Sequence, residues 1–205
     1  MKRLGIMGGT FNPIHKGHLA LAKAALKEFA LDQVIFIPSG NPPHKASKDI
    51  IDKELRFTMV ELATKGLKAC SASRIELDRP GYSYAIDTFT ELKKIYGKKS
   101  KLFYIMGLDS INEILDWRQP LELFRLAEFI VGTRPGTKIK TFRRLVKVSP
   151  LQNEVDKIHL IELKEEISSS EIRTRLRLGK SVTPLIPKVV ASFIRHHKLY
   201  KNGGK

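Results

Sequence analysis

The chain contains one cysteine, Cys70, and one tryptophan, Trp117, among 205 residues. A single cysteine excludes an internal disulfide and any zinc site built from several thiolates. No apolar run approaches the ~20 residues needed to span a bilayer. The opening MKRLGIMGGTFNP has two basic residues but only a short apolar-and-glycine run before a turn, too little for the core of a secretion signal. Acidic residues are also few, 21 against 37 Lys and Arg, giving a formal charge of +16. The expectation is a cytoplasmic globular protein with an anionic partner, either nucleic acid or a nucleotide. The basic segments KIKTFRRLVK (138–147) and RHHKLYKNGGK (195–205) lack the interleaved aromatics of an RNA-binding module. No specific nucleic acid and no membrane is therefore expected, and a homo-oligomer is left open.

The rest is an ordinary soluble balance, 42% hydrophobic and 28% charged, on enough chain for one substantial core. Short apolar, β-branched runs at 3–7, 33–38, 69–77, 101–107, 128–133 and 158–163 read as strands. Most are apolar almost throughout, as in parallel strands covered on both faces. Between them lie helical patterns at 17–30, 52–66, 84–96 and 120–127; Leu19, Ala22, Leu26 and Phe29 mark a buried helix face. This alternation predicts an α/β fold, a doubly wound, Rossmann-like parallel sheet of five to six strands, with ligands at the carboxyl ends of the strands. From Ser168 the pattern is wholly helical, with capping serines before 168–180 and Pro187 opening 187–200. A single domain over 1–205 is expected, with an α/β core at 1–165 and a small helical C-terminal subdomain at 166–200.

The stretch GGTFNPIHKGH (8–18) asks for explanation. A strand ending at Met7, a turn at Gly8-Gly9 and a helix from about Gly17 would bring bare amides and a helix N-terminus to the edge of the sheet, a setting that suits phosphate. The pattern is neither GxxxxGK[ST] nor GxGxxG, so a merely tight turn stays open. His15 and His18, three residues apart, share a helical face. A metal pair is one reading, but no Cys or acidic ligand is nearby and the spacing is not HExxH. Two hydrogen-bond donors for phosphoryl oxygens fit better.

GGTFNPIHKGH resembles the opening of the HxGH nucleotidyltransferases, and specifically of the bacterial nicotinate-nucleotide adenylyltransferases. Further matches follow in order: IPSGNPPHK (37–45), GLDS (107–110), LDWRQP (115–120), GTRPG (132–136), ISSSEIRTRL (167–176) and the closing PLIPKVVASFIRHHKLY. The resemblance implies a reaction in which the phosphate of nicotinate mononucleotide attacks the α-phosphorus of ATP, giving deamido-NAD and pyrophosphate. It implies ATP contacts at Gly8, Gly9, Thr10, Phe11, His15, His18, Gly107, Asp109, Ser110, Arg134, Ser169, Ser170 and Arg173, with His15, His18 and Arg173 catalytic. It further implies that the mononucleotide meets Asn12, His44, Lys45, Tyr84, Ala85 and Trp117, the tryptophan stacking on the pyridine. Mg²⁺ would be carried by ATP, with no metal site in the protein and no prosthetic group. Asn12 and Ser170 stand where the family often has Asp and Thr, and Ala85 where it often has Thr, so contact at Ala85 would be through backbone. A phosphopantetheine adenylyltransferase, a cytidylyltransferase and a non-catalytic RNA-binding protein are the alternatives; the first two lack the combined PPHK and LDWRQP features.

Overall fold

The computed structural model describes residues 1–43, 50–133, 152–163 and 167–201. Six strands there form one sheet: β1 (Arg3–Gly9), β2 (Gln33–Pro38), β3 (Cys70–Ala72), β4 (Lys101–Gly107), β5 (Ala127–Thr133) and β6 (Ile158–Glu162). Their order is β3-β2-β1-β4-β5-β6 and every pairing is parallel, the doubly wound α/β arrangement expected from the sequence. The strand order reverses between β1 and β4, which opens a crevice at their carboxyl ends.

Both faces of the sheet are covered, and β4 shows how. Leu102, Tyr104 and Met106 pack with Phe89, Leu92 and Phe124, while Phe103 and Ile105 pack on the opposite face with Leu21, Ala25 and Val60. Because strand side chains alternate, two apolar faces require an unbroken apolar run, which is what the sequence has. The face with Phe103 carries α1 (Lys16–Glu28) and α2 (Lys53–Thr64); the other carries α3 (Ala85–Tyr96), α4 (Leu108–Asn112) and α5 (Pro120–Leu126). Two C-terminal helices, α6 (Ser169–Arg177) and α7 (Lys188–His196), bury Ile172, Val190 and Ile194 in the same cluster as α1. The start signals are where the sequence puts them. Asp52 caps α2 by accepting from the Glu54 amide at 2.8 Å, and Ser168 caps α6 by accepting from the Glu171 amide at 3.1 Å. No helix among the described residues is long and apolar enough to cross a membrane.

Two local expectations are corrected. The run at 69–77 is a strand only over Cys70–Ala72. The Asp78 amide then closes a turn on the Arg74 carbonyl at 3.0 Å, which buries Glu76 and Leu77 beside the sheet instead of extending it. Gly8 and Gly9 are not a turn. They continue β1, in register with Ile37 and Pro38, and the chain leaves the strand two residues later at Phe11, whose φ is 48°. GLDS closes β4 at Gly107 and opens α4, which is followed by a 3₁₀ turn at Ile114–Asp116.

Candidate active site

Three adjoining cavities lie along the carboxyl edge of the sheet. The first, about 160 Å³, is lined by Gly8, Gly9, Thr10, Ser39, Glu76, Tyr84, Ala85, Tyr104, Trp117 and Arg118, among others. The second, about 660 Å³, is lined by Gly8 to Asn12, His18, Gly107, Asp109, Ser110, Ser169, Ser170 and Arg173. The third, about 480 Å³, takes in His15, His18, Asp109 and Gly132. The first two share Gly8, Gly9, Thr10, Met106 and Ser110; the second and third share His18, Asp109 and Ser169. Buried polar atoms are nearly always hydrogen-bonded, so the exceptions are informative. Three such atoms without a partner among the described residues are His15 Nδ1, Ser39 Oγ and Arg173 Nε, and their residues line the third, first and second cavities respectively.

The stretch that the sequence singled out forms the wall common to these spaces. Gly8 allows Tyr104 to close in, since a Cβ there would stand 2.9 Å from the phenol oxygen. Phe11, in a left-handed conformation costly for a side-chain-bearing residue, is buried and sets its ring edge-on to His18, centroids 5.0 Å apart. His15 is the N-cap of α1 and His18 its third residue, and their rings stack at 3.6 Å. Gly17 makes that stacking possible, because a Cβ would press to 3.1 Å of His15 Nδ1. The backbone N–H of His15 donates to His18 Nδ1 at 3.2 Å, which assigns the His18 proton to Nε2 and makes the ring a neutral donor. Burial lowers the His15 pKa to about 4, so this ring too is neutral near pH 7. The expected helical face thus becomes a stacked pair at the opening of α1.

The C-terminal helices hold this stretch in place. Arg173 Nη1 donates to the Asn12 carbonyl at 3.0 Å and Nη2 to Ser170 Oγ at 3.1 Å; Ser169 Oγ donates to the Pro13 carbonyl at 2.9 Å. Tyr200 donates its hydroxyl to Asn12 Oδ1 at 2.8 Å, and Lys16 Nζ donates to the carbonyls of Thr183 and Pro184. In this structure Asn12 is therefore a buried anchor for Tyr200 and Arg173 as well as part of the cavity wall. Ser169 and Ser170 are the first two residues of α6, where amides have no intrahelical partner, and both line the second cavity together with Arg173.

Sequence reading passed over Arg56, whose side chain is only 1% exposed. Its guanidinium donates to the carbonyls of Thr10 at 2.8 Å, Ile51 at 3.1 Å and Gly40 at 3.4 Å, tying the β1–α1 loop to the loop after β2. Burial lowers its pKa, and Tyr200, Asp52 and Glu76 oppose that from a distance. A signal existed: Arg56 occupies the buried stripe of α2 with Met59, Val60 and Ala63, where an arginine is out of character. Glu76 was also missed. Buried in the first cavity with its pKa raised by desolvation, it accepts from Thr88 Oγ1 at 2.7 Å, and Thr88 in turn accepts from Arg79 at 2.9 Å.

Tyr84, Ala85 and Trp117 all reach the first cavity, with Tyr84 as the N-cap of α3 and Trp117 half-buried, its ring centroid 5.9 Å from that of Tyr104. His44, Lys45 and Arg134 lie outside the described residues. Among the described residues no three His, Cys, Asp or Glu side chains converge as they would around a metal ion. The donor set at this edge is imidazole, hydroxyl, guanidinium and amide, a set that complements phosphate.

A doubly wound sheet with such an edge, opening on two sides of one strand end, has the form of a nucleotide-binding crevice. The family model described as cytidylyltransferase-like matches residues 6–175. A protein of Thermoanaerobacter sp. (strain X514), named as a probable nicotinate-nucleotide adenylyltransferase, is 45% identical over 97% of this chain and 94% of its own length. One of the same name from Moorella thermoacetica is 44% identical over 97% and 92%. The chain belongs to the cytidylyltransferase-like family and, within it, to the nicotinate-nucleotide adenylyltransferases. In fold it is similar to the nicotinic acid mononucleotide adenylyltransferase of Plasmodium falciparum complexed with NaAD, with a TM-score of 0.74 over 98% of both chains at 19% identity.

Proposed function

We propose that the chain transfers the adenylyl group of ATP to nicotinate mononucleotide, ATP occupying the second and third cavities and the pyridine end of the mononucleotide the first. The mononucleotide's phosphate oxygen attacks the α-phosphorus of ATP, the bond from that phosphorus to the bridging oxygen breaks, and pyrophosphate leaves. The nucleophile is already largely dianionic at neutral pH, since a phosphate monoester's second pKa is about 6, so no general base is needed. Catalysis then rests on alignment and on donors aimed where charge develops. His18 donates from Nε2 to the α-phosphate, its ring steadied by the His15 amide and by Phe11. Arg173 and the first amides of α6 receive the departing pyrophosphate, and His15 supports His18 by stacking while facing the neighbouring phosphates. Mg²⁺, arriving on the triphosphate, would screen its charge there. We take the compartment to be the cytoplasm, where ATP is available.

The observation that carries this reading is the contact from the His15 amide to His18 Nδ1, which leaves Nε2 to carry the proton, in the wall between the two cavities given to ATP. It is tested by the steady-state kcat of His18→Ala with ATP and nicotinate mononucleotide. A fall on the order of 10²-fold is expected, with the KM for nicotinate mononucleotide little changed, the scale of losing one transition-state donor. A kcat within a few-fold of wild type would remove His18 from this role.

A further inference from the structure

Nicotinate and nicotinamide mononucleotides differ at one substituent, an anionic carboxylate against a neutral amide. A single backbone N–H can donate to one oxygen of either, so on its own it discriminates less than a full charge does. A positive charge discriminates well, because it is matched only by the acid. Among the described residues lining the first cavity, Arg118 is the one cation, while Glu76 and Glu113 are the acids. Glu76 is occupied with Thr88. Arg118 immediately follows Trp117, and its guanidinium lies 5.0 Å over the ring of Tyr84, the residue that caps α3. It therefore lies at the edge of the cavity, next to Trp117 in sequence and over the ring of Tyr84, which opens α3. Its ion pair with Asp87, at 3.8 Å, is too long for a hydrogen bond, and the side chain is about half exposed at 54%. The guanidinium is positioned by an aromatic face but is not committed to a carboxylate of the protein. Its planar fork can turn toward a carboxylate arriving in the cavity.

We propose that the Arg118 side chain is a specificity-determining contact of the acceptor cavity, pairing with the carboxylate on the pyridine ring and so favouring the acid over the amide mononucleotide. This rests on the reading of the first cavity as the acceptor site. The test compares Arg118→Gln and Arg118→Lys with wild type, measuring kcat and KM for both mononucleotides and, by calorimetry, their direct binding. Arg118→Gln is expected to raise the KM and Kd for nicotinate mononucleotide about tenfold, the low end for a charge-assisted hydrogen bond that is partly exposed. The constants for the amide form and the KM for ATP are expected to stay within about twofold, and Arg118→Lys to recover part of the loss. An unchanged acid-to-amide ratio in Arg118→Gln, or an equal loss for both forms, would overturn the proposal. Absence of turnover by the wild type with either form would instead count against the proposed reaction, and the calorimetric ratio would still decide the role of Arg118.

Discussion

At the scale of single residues, the site depends on rings kept neutral by their surroundings. His15 is 7% exposed, and burial lowers its pKa from 6.5 to about 4. Between those values the unfolded chain binds a proton that the folded one does not, so stability falls as pH drops through this window. Urea unfolding at pH 7 and pH 4.5 is expected to show about 2 kcal/mol of loss attributable to this residue, and His15→Gln should lose correspondingly less over the same interval. An identical pH dependence in the variant would show that His15 is not held neutral. The histidine pair and its glycine were legible in the sequence because their spacing is local. The packing around the pair was not, since Leu185, which accepts from the Lys16 amide, and Ile167, which lies against Gly17, are more than a hundred residues away and reach the motif only after folding.

At the scale of elements, the loops that make the site are tied down from behind. Arg56 on α2 joins the Thr10 and Gly40 carbonyls, and α6 and the residues after α7 hold Asn12 and Pro13. Replacing Arg56 with Met would leave three loop carbonyls without their donor. Thermal unfolding of Arg56→Met is expected to show a loss of about 3 kcal/mol, or a Tm lower by roughly 10 °C, and Arg56→Lys to recover little because one ammonium cannot serve all three carbonyls. A shift below about 2 °C would mean the loops are held by other contacts. The helix that carries Arg56 was readable from its Asp52 cap and its periodicity, yet an arginine on such a helix reads as solvated. The 69–77 run failed because composition marked it as strand, while the local turn that Asp78 closes on Arg74 carries no apolar signature and the burial of Glu76 rests on Thr88, twelve residues further on. Local pattern gave the type of each element; which polar groups turn inward was settled by partners distant in sequence.

At the scale of the whole molecule, the order β3-β2-β1-β4-β5-β6 sets the crevice, and the first and second cavities meet across the end of β1 at Gly8, Gly9 and Thr10. In the proposed reaction two anionic substrates entering from either side would converge on the same strand end, and a net charge of +16 would favour the approach of both. The fold class was legible because both-face burial writes itself into continuous apolar strands. That GGTFNPIHKGH, GLDS, LDWRQP and ISSSEIRTRL meet at one site was implied by resemblance alone, and the sheet shows how they come to line one edge. The central claim is that this edge joins ATP to a nicotinate nucleotide, and pyrophosphate release by the wild-type chain tests it most directly. With ATP and nicotinate mononucleotide together, steady release matched by formation of deamido-NAD is expected, with none from ATP alone and little when CTP replaces ATP or phosphopantetheine replaces the mononucleotide. No release with either pyridine mononucleotide, alongside turnover of another acceptor, would contradict it.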